Sequence, residues 1–130
     1  MILDTSFLID IRHGDPDALR CASKLEGSPH QLRVSAITMA ELQTGVTRAA
    51  ESVDEFSEMM AVTATKDIVP VTRAIALRGG RLHGELKNRD ESVELDDCLI
   101  AATALDYEEP VVTRNVSHFE RFDGVLIREY

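Results

Sequence analysis

The first eleven residues constrain the fold more than any other stretch of the chain. Met1-Ile2-Leu3 is an apolar run, Asp4-Thr5-Ser6 supplies three consecutive oxygen-bearing side chains, and Phe7, Leu8 and Ile11 then recur at helical spacing. This pattern predicts a short buried strand, a polar turn, and a helix that is capped by the turn. A strand that is apolar on both faces is typical of the middle of a parallel sheet covered by helices.

Asp4, directly after this strand, has two possible roles. In open parallel sheets, ligands bind beyond the carboxyl ends of the strands, where the strand order reverses. That rule predicts that Asp4 stands at the bottom of a cleft. An Asp at a strand-to-helix turn can also do no more than cap the helix. The other strand ends of the chain have to decide between the two roles.

The rest of the chain alternates between strand and helix patterns. The later strands are predicted at Arg33–Ile37, Ile68–Val71, Pro110–Thr113 and Val125–Ile127, with helical patterns between them. Alternation of this kind predicts a three-layer α/β/α sandwich with a central, mostly parallel sheet of four to five strands. Pro70 lacks a backbone donor, which predicts that the third strand lies at a sheet edge. The length of 130 residues fits a single domain over residues 1–130.

Local signals also predict where several helices begin and which face they bury. Asp15-Pro16 is typical of an N-cap followed by the first helical residue. Thr72 is predicted to cap a long helix that runs to about Arg89, interrupted at Gly79-Gly80. That glycine pair either lets two backbones pack closely or kinks the helix. The helix at Glu51–Ala64 is expected to turn its apolar side chains inward, namely Val53, Phe56, Met59 and Met60.

Composition limits the classes of function. The net charge of −9 argues against indiscriminate nucleic-acid binding through bulk charge, although it does not exclude an enzyme that acts on nucleic acid. No apolar run approaches the ~20 residues of a membrane span, and no signal peptide is recognisable, so we expect a cytoplasmic protein. Cys21 and Cys98 fit two reduced core thiols better than a disulfide framework or a zinc site.

Acids and hydroxyls recur at the predicted strand ends. Asp4 follows the first strand, Glu41 lies one turn into the next helix, Asp97 begins the helix before the fourth strand, and Thr113 and Asn115 follow that strand. In a parallel sheet these positions share one edge, where carboxylates raise each other's pKa unless a cation lies among them. Mg²⁺ or Mn²⁺ accepts such oxygen ligands. The chemistry indicated is metal-assisted hydrolysis of a phosphodiester.

Each of these residues also has a purely structural interpretation. Glu41 is the third residue after Thr38, and the pair fits a capping box. Asp96 or Asp97 could simply favour a helix N-terminus, and Thr113 with Asn115 could be an ordinary helix cap. Asp97 heads the more apolar stripe of its helix, which makes it the better candidate ligand. The stripe consists of Ile100, Ala101 and Ala104.

Four segments together resemble the PIN domain family, and within it the VapC-type toxin ribonucleases of toxin–antitoxin pairs. The segments are MILDTSFLID, SAITMAEL, DDCLIAATAL and VVTRNVSHFERF, and they follow the family's order and spacing over essentially the whole chain. The resemblance implies a PIN-like parallel sheet and endoribonuclease activity that depends on Mg²⁺ or Mn²⁺. It also implies a homodimer and inhibition by a small cognate antitoxin protein.

The resemblance extends to single positions. Asp4, Glu41 and Asp97 match the acidic triad that holds the metal, and Ser6 and Thr113 match accessory hydroxyl positions. The chain departs from the family after the fourth strand. Asn115 stands where a fourth acid is frequent, and His118 stands where Asp is frequent, which leaves a second metal in question.

Substrate and partner surfaces follow less directly from the sequence. Arg12 and Arg114 lie nearest to the predicted cleft and are the candidate phosphate ligands. The helices at Arg12–Leu25 and Glu51–Ala64 are the candidate partner surface. Two other functions stay open. One is a catalytically idle PIN-like module that binds protein or RNA, and the other is a small-molecule phosphohydrolase, although the Asp-x-Asp pair of dehalogenase-like phosphatases is absent.

Overall fold

The computed structural model of the chain describes all 130 residues, Met1 to Tyr130, as five strands and seven helices. In chain order these are β1 (Ile2–Leu3), α1 (Thr5–Arg12), α2 (Pro16–Glu26), β2 (Arg33–Ser35), α3 (Ala36–Arg48), α4 (Ser52–Thr63), β3 (Asp67–Val69), α5 (Arg73–Asn88), α6 (Leu95–Tyr107), β4 (Val111–Val112), α7 (Val116–Phe119) and β5 (Ile127–Arg128). No helix combines the length and the apolar character that crossing a membrane requires.

The five strands form one sheet in the order β3-β2-β1-β4-β5, and every neighbouring pair is parallel. The predicted α/β sandwich is therefore confirmed, with five strands. β1 is the central strand, as its apolar composition predicts, and β3 lies at an edge, as Pro70 predicts. The strand order reverses at β1, which pairs with β2 on one side and with β4 on the other. This reversal makes the carboxyl end of β1 the expected ligand site.

Successive residues of the central strands feed two separate cores. Leu3 and Val112 belong to a cluster with residues of α1, α2, α3 and α4, including Phe7, Leu25 and Met59. Ile2 and Val111 belong to a second cluster with residues of α5, α6 and the segment after β4. Because strand side chains alternate between faces, one short apolar strand supports both layers of helices.

Two local predictions for helix starts are confirmed. The Asp15 side chain accepts hydrogen bonds from the backbone N–H groups of Asp17 and Ala18, with Pro16 in the first turn of α2. The Thr72 hydroxyl accepts from the backbone N–H of Ile75 at the start of α5. These caps could be predicted because each depends on residues no more than three positions apart.

Two other local predictions were wrong. α5 runs without interruption through Gly79-Gly80. A Cβ on Gly79 would lie 2.7 Å from Cδ2 of Leu99, so this glycine lets α5 and α6 pack closely, whereas Gly80 faces open space. In α4 only Met59 of the four expected apolar residues is buried. The other three are exposed by 79% (Val53), 45% (Phe56) and 47% (Met60).

Candidate active site

Three acidic side chains project from elements that begin at the carboxyl edge of the sheet. Asp4 follows β1 and caps α1, while Glu41 lies in the second turn of α3 after β2. Asp97 lies in the first turn of α6. None of the three forms an ion pair with a lysine or arginine. The arrangement places negative charge at this edge without a compensating guanidinium or ammonium group.

Asp4 is buried and is held in place by three donors. Its Oδ1 accepts a hydrogen bond from the backbone N–H of Thr5 at 2.8 Å. Its Oδ2 accepts from the hydroxyls of Ser6 and Thr113, both at 2.7 Å. Asp4 thus caps α1 and also accepts a hydrogen bond from Thr113, which directly follows the neighbouring strand β4, so the helix-cap interpretation is true but incomplete. The two predicted accessory hydroxyls do contact this carboxylate.

Asn115 supports Asp4 only indirectly. Its backbone N–H donates to the Thr113 hydroxyl at 2.9 Å, and that hydroxyl in turn donates to Asp4. The Asn115 side chain is exposed and forms no cap hydrogen bond with α7. The structure therefore assigns the backbone of Asn115 to the Asp4 network, and a role for its side-chain amide stays a prediction.

Glu41 is positioned by a residue that the sequence did not single out. The Thr5 hydroxyl donates to Oε1 of Glu41 at 2.6 Å and lies 3.2 Å from the hydroxyl of Thr38. The capping box between Thr38 and Glu41 is wrong, because α3 begins at Ala36 and its cap is Ser35, whose hydroxyl accepts from the N–H of Ile37. This earlier start places Glu41 in the second turn of α3, beyond the reach of a capping role.

The electrostatic environment of Glu41 differs from that of an ordinary surface acid. Burial raises its pKa to about 7, the Thr5 hydrogen bond opposes this shift, and the negative charges of Asp96, Asp4 and Asp97 reinforce it. The pKa of Asp97 is also raised, chiefly by burial, although its contact with His118 offsets part of the effect. The acids therefore repel one another, as expected for carboxylates that converge without a cation.

Asp97 makes its contact with a residue of another element. Its Oδ2 lies 3.1 Å from Nδ1 of His118, a residue of α7. Asp96 makes no side-chain hydrogen bond, although its charge acts on Glu41. Signals for Thr5 and His118 were present in the sequence, since one lies in the polar turn and the other in the PIN-like ending. Neither residue could be matched to its acid without the tertiary structure.

The two arginines predicted to bind phosphate form ion pairs with acidic side chains in this structure. Arg12 lies at the end of α1 and pairs with Glu55 and Glu58 of α4 at 2.5 Å and 3.7 Å. Arg114 pairs with Asp10 and Asp15 at 3.4 Å and 2.8 Å. The structure does not bring either guanidinium to the three acids, so phosphate binding by these residues stays a prediction.

The chemistry of the donor set fits a hard divalent cation. Mg²⁺ and Mn²⁺ prefer carboxylate oxygens, and the three carboxylates at this edge have no lysine or arginine partner. In their present positions, His, Cys, Asp and Glu side chains do not form any group of three or more with the geometry to hold a metal ion. Each of the three acids instead has a hydrogen-bond donor on one oxygen or both. The main cavities of the protein lie elsewhere, the largest at about 470 Å³ beside Leu25 and Asp67.

Comparison with known proteins identifies the family of the chain. The sequence matches the model of the PIN domain over residues 1–125. Ribonuclease VapC8 of Mycobacterium tuberculosis is 31% identical over 107 residues, which cover 79% of this chain and 88% of that protein. Ribonuclease VapC2 of Rickettsia felis is 23% identical over 129 residues, which cover 99% of this chain and 96% of that protein.

A solved structure extends the similarity to the fold. The crystal structure of VapBC2 from Rickettsia felis, bound to a DNA fragment from its promoter, has a TM-score of 0.89 at 22% identity. The alignment covers 99% of this chain and 97% of that one. Likeness at this level of identity shows the fold alone, whereas the match to the family model and the 31% identity show descent. The chain belongs to the PIN domain family and is related within it to the VapC-type ribonucleases.

Proposed function

We propose that this protein is an endoribonuclease that depends on Mg²⁺ or Mn²⁺, and that it is the toxin of a toxin–antitoxin pair. The observation that carries the proposal is the convergence of Asp4, Glu41 and Asp97 at one sheet edge without a lysine or arginine partner. The pKa of Glu41 is raised to about 7, first by burial and further by the negative charges of the neighbouring acids. The ribonuclease names of the relatives support RNA as the substrate.

In this proposal the three acids hold the divalent ion. A bound divalent cation supplies the positive charge that activates water as a nucleophile and stabilises the negative charge developing on phosphate oxygens. Ser6 and Thr113 fix the orientation of Asp4, and Thr5 fixes that of Glu41. These donors restrict the orientations of the two carboxylates before the ion and the RNA phosphate bind.

RNA cleavage in the presence and absence of metal tests the proposal. The purified protein should cleave RNA with Mg²⁺ or Mn²⁺ and stop when EDTA is added. Robust cleavage in EDTA would contradict the metal-dependent mechanism. RNA binding without cleavage would favour the idle binding module, and a metal-dependent preference for small phosphate esters would favour the phosphohydrolase.

The antitoxin surface belongs to the same proposal. α4 presents Val53, Phe56 and Met60 to solvent, and its acids Glu55 and Glu58 pair with Arg12 at the end of α1. An apolar segment of a small antitoxin, encoded by a reading frame immediately upstream, would bury these side chains. Met60 is adaptable enough to pack against such a segment. This surface differs from the expected one in that the apolar residues of α4 point outward.

A binding assay with a matched control tests this surface. Phe56→Ser should weaken antitoxin binding, whereas Leu77→Ser on α5, which removes a side chain that is 61% exposed, should not. The proposed homodimer is tested separately by sedimentation of the isolated chain. A monomer at tens of micromolar that binds no upstream partner would contradict both parts of the assembly proposal.

A further inference from the structure

His118 joins two elements that come together only in the folded chain. It lies in α7 after β4, and its Nδ1 is 3.1 Å from Oδ2 of Asp97 near the start of α6. The two residues are 21 positions apart in the sequence, and their contact lies at the same edge of the sheet as Asp4 and Glu41. No other side chain forms a hydrogen bond with the Asp97 carboxylate.

The backbone beneath His118 is well fixed. Phe119, the next residue, is 1% exposed and packs against Phe122 with ring centroids 6.0 Å apart. The backbone N–H of His118 donates to the carbonyl of Asn115 at 3.0 Å. A buried aromatic anchor beside a hydrogen-bonded turn restricts where the imidazole can reach.

The contact completes a pattern that all three acids share. Asp4 receives the hydroxyl of Thr113 at 2.7 Å, and Glu41 receives the hydroxyl of Thr5 at 2.6 Å. In each case the donor comes from a different element of the structure. His118 occupies the corresponding place beside Asp97, as the only one of the three long-range donors that is not a hydroxyl.

We infer that His118 is a positioning residue, whose Nδ1–H holds Oδ2 of Asp97 and so presents this carboxylate to a divalent cation in one orientation. The inference rests on the proposed function, because it assigns a role within the same site. A donor beside a ligand acts on metal affinity through orientation, and the loss of such a partner commonly costs ten- to a hundredfold.

If the contact between His118 and Asp97 were only structural, its loss would change the stability of the metal-free protein and not metal binding. The side chains of His118 and Asp97 are 48% and 21% exposed, and ion pairs of that exposure contribute little to stability. Replacement of His118 should therefore leave the melting temperature of the metal-free protein nearly unchanged. Metal affinity and catalysis are the quantities that separate positioning from simple surface pairing.

The experiment measures Mn²⁺ binding by calorimetry, together with kcat and KM for RNA cleavage, in four full-length proteins. These are wild type, His118→Ala, His118→Asn and His30→Ala, which removes an exposed histidine away from the acids as the control. His118→Ala should bind Mn²⁺ about tenfold more weakly and lose kcat with little change in KM. His118→Asn should recover most of the affinity, because its amide can donate from nearly the position of Nδ1.

Three results would overturn the inference. His118→Ala could bind Mn²⁺ and cleave RNA like wild type, or His118→Asn could be as defective as His118→Ala. Either result contradicts positioning by His118 while the metal-dependent nuclease stands. If the wild-type protein itself binds no Mn²⁺, the proposed function fails and the inference fails with it.

Discussion

The acidic side chains at the two edges of the sheet have different kinds of partner. At the amino edge, Glu109 contacts Arg33 and accepts a hydrogen bond from the Met1 amino group at 2.8 Å, and Arg33 also lies 3.7 Å from Asp67. At the carboxyl edge, Asp4, Glu41 and Asp97 have hydroxyl or imidazole donors but no arginine or lysine. Acids at the two edges therefore experience opposite electrostatic surroundings within one small protein.

The pKa values follow this difference. Burial alone would raise the pKa of Glu109, but the hydrogen bonds from the Met1 amino group and Arg33 together outweigh it and lower the value. The pKa of Glu41 is raised to about 7 because burial and three neighbouring acids act in the same direction. The acid Glu109 at the amino edge is thus paired with positive groups, whereas Glu41 at the carboxyl edge has only acids and a hydroxyl donor around it. This contrast supports the proposed metal site at the carboxyl edge.

The largest expected effect is on catalysis at the carboxyl edge. Asp97→Asn should reduce RNA cleavage by at least about a hundredfold. Loss of a residue that only orients a metal ligand costs up to about a hundredfold, and loss of a ligand itself should cost at least as much. Asp96→Asn is the matched control and should retain cleavage, since Asp96 lacks the contact with His118. Cleavage rates of the two variants decide the matter. Loss of activity in Asp96→Asn alone would shift the ligand by one residue, and activity in both would remove α6 from the site.

The second effect is the stabilisation that metal confers. Mn²⁺ at a hundred times its Kd should raise the unfolding free energy of wild type by roughly 2.7 kcal/mol. Asp97→Asn should lose most of this gain, while its metal-free stability stays equal or rises because one repelling charge is gone. Melting curves with and without Mn²⁺ measure both quantities. If Mn²⁺ raised the melting temperature of Asp97→Asn as much as that of wild type, Asp97 would not be a metal ligand and the proposed difference between the edges would be contradicted.

The third effect compares one acid from each edge. Glu109→Gln should lower the free energy of unfolding by about 1–2 kcal/mol, because it leaves Arg33 with a weaker partner. This value lies between those typical of exposed and of buried ion pairs. Glu41→Gln should cost nothing in metal-free protein, or should stabilise it. Urea unfolding in EDTA measures both variants, and RNA cleavage should fall only for Glu41→Gln. Equal destabilisation by the two changes would mean that the edges do not differ electrostatically.

The smallest effect is a pair of opposite pH dependences. Folded Glu41 keeps its proton up to about pH 7, whereas the unfolded chain loses it near 4.5, so its contribution to stability falls as the pH rises through this window. Glu109 has a lowered pKa, so its contribution is complete above its unfolded value and is lost as the pH falls. Urea titrations in EDTA between pH 4 and 8 should show a decline toward pH 7 that Glu41→Gln flattens. An unchanged profile in that variant would contradict the raised pKa.

Features that depend on neighbouring residues could be predicted from the sequence. The caps at Asp15 and Thr72, the central position of β1 and the edge position of β3 all follow from short patterns of apolar, proline and oxygen-bearing residues. The same patterns placed Asp4, Glu41 and Asp97 at one edge, because parallel strands align their carboxyl ends. The identity of the triad also drew on the resemblance to the PIN domain.

Features that depend on distant residues were decided only by the tertiary structure. The partner of Glu41 is Thr5, 36 residues away, and the partner of Asp97 is His118, 21 residues away. Gly79 matters because Leu99 lies against it, and Val53 is exposed because α4 turns that face away from the core. Sequence periodicity records which residues share a face, but it does not record which face meets a neighbour. The sequence alone therefore determined the sheet and its acidic edge, and packing determined which side chains orient each acid.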